Sequence, residues 1–152
     1  MNAPVLESVD ELTIRADADE VRRASVWIDQ TCQRYGVPAN ETLRLEVCVN
    51  ETLANVIAHG GKTALTTPVR LQFQVRRGAV FHEAVVTVSD AGAAFDPLGV
   101  AQAVRPATLA AAEPGGLGLT MIRGSADSLS YRYCEGRNEF SFGVCWNGAG
   151  NG

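Results

Sequence analysis

The chain is 152 residues long, with 46% hydrophobic residues, 20% charged residues and a formal net charge of −4. That length and apolar content suffice for one packed domain over residues 1–152, while the acidic balance excludes the basic surface that direct nucleic-acid binding requires. The opening MNAPVLESVDELTIRADADE has neither a basic start nor an apolar stretch, and later apolar runs are broken by charge or glycine, which predicts no membrane segment and a cytoplasmic protein.

In chain order, Glu11 to Arg15 alternates polar and apolar residues as a short half-buried strand does. From Asp19, the apolar residues Val21, Ala24, Ile28, Cys32 and Tyr35 recur at helical spacing, with Asp17 or Asp19 as cap and Gly36-Val37-Pro38 as the stop. A second helix is predicted to begin after the cap residue Asn40 and to run through ETLRLEVCVNETLANVIAHG to Gly60-Gly61. Thr66-Thr67-Pro68 leads into VRLQFQV, a strand with one wet face, and Arg77-Gly78 turns the chain into a further strand, AVFHEAVVTVSD. Residues 91–116, rich in alanine, glycine and proline, form too long a connection to be ordinary and read as either a functional lid or a partly disordered segment, of which the lid is the expectation. Leu117 to about Asp127 reads as a third helix. SLSYRYC reads as a strand, Glu135-Gly136-Arg137-Asn138 as a turn, EFSFGVCW as the closing strand and NGAGNG as a fraying tail. The predicted fold class is α+β, a two-layer sandwich with a mostly antiparallel sheet and helices on one face.

The cysteines at 32, 48, 134 and 145 show no CxxC spacing and are expected to be reduced core thiols, without a structural metal. Three segments could carry chemistry. Glu51, Asn55 and His59 lie four apart and form a polar stripe on the second helix, which on its own describes a wet helix face equally well. In VSDAGAAFDP, Asp90 follows an apolar strand; it suits a simple turn, or a carboxylate accepting from an exocyclic amine beside Gly92, where the missing Cβ admits a flat ring. EPGGLGLTMI runs a glycine-rich loop into a helix, where backbone N–H groups suit phosphate oxygens, although it matches neither Walker A nor a dinucleotide fingerprint.

Taken in order, NETLANVIAHG, DAGAAFDP and GGLGLTMI resemble the N, G1 and G2 boxes of the GHKL (Bergerat-fold) ATP-binding superfamily, and together they are similar to its anti-sigma-factor serine/threonine kinase branch. The resemblance runs from about Leu12 to Trp146. It implies that Asn55 holds the magnesium ion bridging the ATP phosphates, that Glu51 is the general base for a serine or threonine hydroxyl, and that Asp90 reads the adenine amine with Gly92 making room. It further implies that Gly116, Leu117 and Gly118 line the phosphates under the 91–116 lid. Implied ligands and partners are ATP and Mg2+, a STAS-domain anti-anti-sigma protein, a sigma factor and a second copy in a homodimer.

Three features depart from the family pattern, one of them a lid poor in basic residues. Ser25 stands where a partner-contacting arginine is common, with Arg22 and Arg23 nearby; Arg105 and Arg123 are the available lid-side cations; and Ala94 replaces a glycine. Two rival readings share the boxes. A histidine-kinase catalytic domain would need a phospho-accepting histidine on a dimerisation helix pair, for which the chain has no room. A non-catalytic module that only sequesters a regulator would not require Glu51. A third, an unassigned α+β domain with coincidental glycines, explains each motif singly but not their order.

Overall fold

A computed structural model describes residues 5–98 and 116–148. The predicted tail falls largely outside these residues, as does the predicted lid from residue 99 to residue 115, with Arg105 in it. Strand β1 (Val5–Ile14) extends well beyond the stretch whose alternation is visible in the sequence, because its amino-terminal half pairs with β2 (Val69–Arg77) through a register shift between Leu6 and Ser8.

Helix α1 (Ala18–Arg34) starts on Asp17, whose carboxylate accepts from the Glu20 N–H at 3.0 Å. It ends where Gly36 takes a φ of +73° and the Val37 N–H returns to the Cys32 carbonyl at 2.9 Å, a closure that favours glycine. Helix α2 (Ala39–His59) begins before the expected cap. Pro38 occupies the cap position, Asn40 lies exposed inside the first turn, and no side chain caps the end. The fixed φ of Pro38, −62°, is already helical in value, so the helix starts without a side-chain acceptor. Gly60-Gly61 ends α2 as expected, but the chain then forms an unforeseen six-residue helix, α3 (Gly61–Thr66), after Gly61 turns it at a φ of +76°.

Strand β3 (Phe81–Asp90), helix α4 (Gly116–Ser125), strand β4 (Ser128–Cys134) and strand β5 (Arg137–Asn147) complete the described chain. The final hairpin turns on two residues rather than four. Glu135 and Gly136 both have positive φ, +53° and +76°, and Arg137 and Asn138 already pair with Cys134 and Tyr133.

The sheet has the order β1-β2-β3-β5-β4, antiparallel throughout. Side chains of one parity form apolar rows across it. Leu12, Leu71, Val88, Phe140 and Tyr131 make one row, and Phe73, Val86, Phe142 and Leu129 make the next. These rows face α2, which supplies Leu45, Val49, Leu53 and Val56, and α1, which supplies Ala24 and Ile28. Cys32 and Cys48 sit in this core as free thiols, pushed up by burial to about 11 and about 12. The opposite face carries Gln72, Gln74, Thr87 and Ser141, which gives an α+β two-layer sandwich with helices against one face of the sheet. No helix among the described residues is long and apolar enough to cross a membrane.

Candidate functional site

Strand parity positions the first polar group. Val86 and Val88 point into the core, so Asp90, two residues on, points the same way just as the apolar row runs out. It is 7% exposed. The same parity on β5, read back from Phe142 and Phe140, brings Asn138 to the same side, and the register pairs Asp90 with Asn138 directly.

The cleft above them is walled by the carboxyl-terminal half of α2. Asn55, Val56, His59 and Gly60 face it from the helix, and Phe95 and Pro97 from the loop after β3. The expected stripe is thus divided. Asn55 and His59 line the cleft, His59 stacking on Phe95 with ring centroids 5.9 Å apart, whereas Glu51 is half-buried one turn earlier and does not line it. Thr52 also lines it, and its buried hydroxyl has no hydrogen-bond partner among the described residues. Gly116, Leu117 and Gly118 form the first turn of α4, which packs along α2.

The loop from Asp90 to Phe95 is held tightly. Asp90 Oδ1 accepts from the Gly92 N–H at 2.9 Å and from Asn138 Nδ2 at 3.1 Å. Asn138 Nδ2 also reaches the carbonyls of Gly92 at 3.3 Å and Ala93 at 3.0 Å, while its Oδ1 accepts from the Phe95 N–H at 3.0 Å and the Tyr131 hydroxyl at 2.5 Å. Burial, with a smaller contribution from the charges of Asp96 and Asp90, holds the Tyr131 phenol above its ordinary value although the Phe95 N–H pulls the other way, so it stays a donor. Behind the strand end, the Arg137 guanidinium donates to Ser89 Oγ and to the Ser89 and Pro68 carbonyls. Neither Asn138 nor Arg137 stands out in the sequence as a site residue, because both fall in the segment read as a turn.

Gly92 has a physical reason beside the one expected. A Cβ there would come within 2.8 Å of both Gly60 Cα and Gly60 O, so the space is filled by the end of α2, and the Ala93 N–H closes the contact on the Gly60 carbonyl at 3.3 Å. Arg123, expected as a phosphate-side cation, donates to the Pro97 and Leu98 carbonyls. No group of three or more His, Cys, Asp or Glu side chains suited to a metal occurs among the described residues.

Residues 14–142 match the histidine kinase-like ATPase domain family. Over 133 residues, 87% of this chain and 90% of the relative, the chain is 28% identical to the serine/threonine-protein kinase BtrW of Bordetella bronchiseptica. Among solved structures, that of the RsbU and RsbW domains of Rv1364c from Mycobacterium tuberculosis matches 90% of this chain with a TM-score of 0.64 at 12% identity. This chain spans 32% of that longer one, and the likeness is one of fold.

Proposed function

The chain belongs to the histidine kinase-like ATPase family, and on that premise we propose that it is an ATP-dependent serine/threonine protein kinase of the anti-sigma-factor type, acting on a STAS-domain antagonist. The observation that carries the reading is that Asp90 and Asn55, from segments far apart in sequence, line one cleft. The 28% identity to a serine/threonine-protein kinase over nearly the full length of both chains adds to it.

In this reading the Asp90 carboxylate accepts a hydrogen bond from the adenine amine. The first-turn N–H groups of α4, which lack intrahelical partners, receive phosphate oxygens. Asn55 offers a hard oxygen ligand, which suits Mg2+ because that ion is commonly held by one or two protein oxygens together with substrate phosphates. Magnesium, when bound, neutralises charge on the transferred phosphoryl group. Glu51 accepts the proton of the attacking hydroxyl as the new O–P bond forms and the bond from the γ-phosphorus to the β,γ-bridging oxygen breaks, releasing ADP. The antagonist, a sigma factor competing for the same protein and a second copy in a homodimer are its proposed partners.

A second reading, a non-catalytic module that binds nucleotide and sequesters its partner, draws on the place of Glu51 outside the cleft lining. Glu51→Gln separates the two. With labelled ATP and a STAS-domain protein, the kinase reading expects transfer to slow by about 10²-fold or more while ATP affinity changes little. Undiminished transfer by Glu51→Gln would remove Glu51 as base, and ATP binding by the wild-type protein without transfer to any STAS-domain protein of its genome would favour the sequestering module.

A further inference from the structure

Asn138 is 6% exposed, and its side-chain amide is committed in full to the protein. The surroundings fix which end is which. The Gly92 and Ala93 carbonyls can only accept, so they face Nδ2, and the Phe95 N–H can only donate, so it faces Oδ1. With three acceptors around Nδ2 and two donors at Oδ1, no capacity remains for a bound molecule. Asn138 therefore acts through what it holds. It fastens residues 90, 92, 93 and 95 to the first rung of β5, and with the Gly92 N–H it fills the hydrogen-bonding positions of Asp90 Oδ1. Oδ2 takes part in neither bond, which leaves it as the Asp90 oxygen available to a molecule in the cleft that Asp90 lines.

We propose that Asn138 is the positioning residue that sets base selectivity in this cleft: it orients the Asp90 carboxylate so that an acceptor meets the edge of the bound purine, favouring a 6-amino over a 6-keto base. This rests on the reading that Asp90 faces the base. A side chain that only stabilised the hairpin would, when removed, weaken binding of every purine nucleotide alike. One that orients Asp90 contributes to binding of the 6-amino base and not of the 6-keto base, so its loss narrows the difference between them.

The test uses the full chain with ATP and GTP as probes, binding being measured by calorimetry with magnesium present. Asn138→Ala is expected to lose ATP affinity by about tenfold or more with weak GTP binding unchanged, so that the ratio contracts. Asn138→Asp keeps the shape and the acceptor but sets a second carboxylate against Asp90. Its ATP affinity is expected to be low at pH 8 and to recover as pH falls towards 5, when the pair shares one proton that again donates to Asp90. Asp90 on β3, Asp96 and Tyr131 beside the loop, and His59 on α2 also face the position, and all are present in the wild-type protein, whose own pH profile is the baseline. Equal losses for ATP and GTP in Asn138→Ala, or an Asn138→Asp profile parallel to wild type, would overturn the proposal. Undiminished ATP binding by Asp90→Asn would instead overturn the reading of the cleft, and the proposal with it.

Discussion

Replacing Gly92 by alanine places a Cβ 2.8 Å from Gly60 Cα, 2.8 Å from Gly60 O and 2.9 Å from Asp90 Oδ1. Two of these neighbours are backbone and the third is the site carboxylate, so no flexible side chain can yield. Restoring ordinary contact requires the loop and the end of α2 to separate by about half an ångström. That separation strains the Ala93 N–H to Gly60 bond and the Gly92 N–H to Asp90 bond. Overpacking costs about 1–3 kcal/mol and each of the two weakened hydrogen bonds about 1 kcal/mol, giving about 3–5 kcal/mol if the loop stays docked. Urea unfolding followed by Trp27 and Trp146 fluorescence should show the loss, and ATP titration should show weakened binding because Asp90 shifts with the loop. A Gly92→Ala protein within about 0.5 kcal/mol of wild type, with unchanged ATP affinity, would refute the reasoning that Gly60 is what Gly92 accommodates.

Gly124 provides the opposite sign: its Cβ would meet nothing within 4 Å inside α4, so Gly124→Ala should stabilise the fold by about 0.5–1 kcal/mol, read as a higher urea midpoint. Phe142 is fully buried at the centre of a cross-sheet row, and Phe142→Ala should cost about 3–5 kcal/mol in the same assay, a loss under 1 kcal/mol arguing against that packing. Asp127 is pushed up by burial but pulled further down by Arg44 and the Cys145 N–H, so its carboxyl lies below the ordinary range when folded. The stability it contributes is present at neutral pH and declines as the solution is acidified below about pH 4, so Asp127→Asn should lower the urea midpoint at pH 7, with the difference from wild type shrinking as the pH falls below about 4.

Strand and helix cores were legible because burial on one face leaves a periodic trace: Val69, Leu71, Phe73 and Val75 alternate, and all four are buried. What escaped was decided by groups that leave none. The start of α2 depends on the backbone of Pro38 rather than on the side chain of Asn40, and α3 follows from a positive φ at Gly61. Asn138 was hidden by the length assigned to the hairpin turn. A two-residue turn on Glu135-Gly136 puts Asn138 in the inward parity of Phe140 and Phe142, and a polar residue at the buried end of that alternation is the signal that marks it. The three motif segments were legible as a set, yet the reason for Gly92 was not, because its neighbour Gly60 is thirty-two residues away in sequence and becomes adjacent only when α2 lies across the sheet.

The position of the site follows from the same parity. Antiparallel pairing sets the end of β3 against the beginning of β5, so the last inward residues of both strands, Asp90 and Asn138, lie side by side one rung beyond Val88 and Phe140. Helix α2 presents Val49, Leu53 and Val56 to the apolar rows and, within the same turns, Asn55 and His59 to the cleft. The polar groups are therefore fixed by the geometry that packs the core, and the loop between Asp90 and Phe95 is fastened to the strand end and to α2 instead of being left free. If Asp90 reads a flat base as proposed, its carboxylate must hold one oxygen at a defined position, and a buried strand end braced by the Asn138 amide is suited to that.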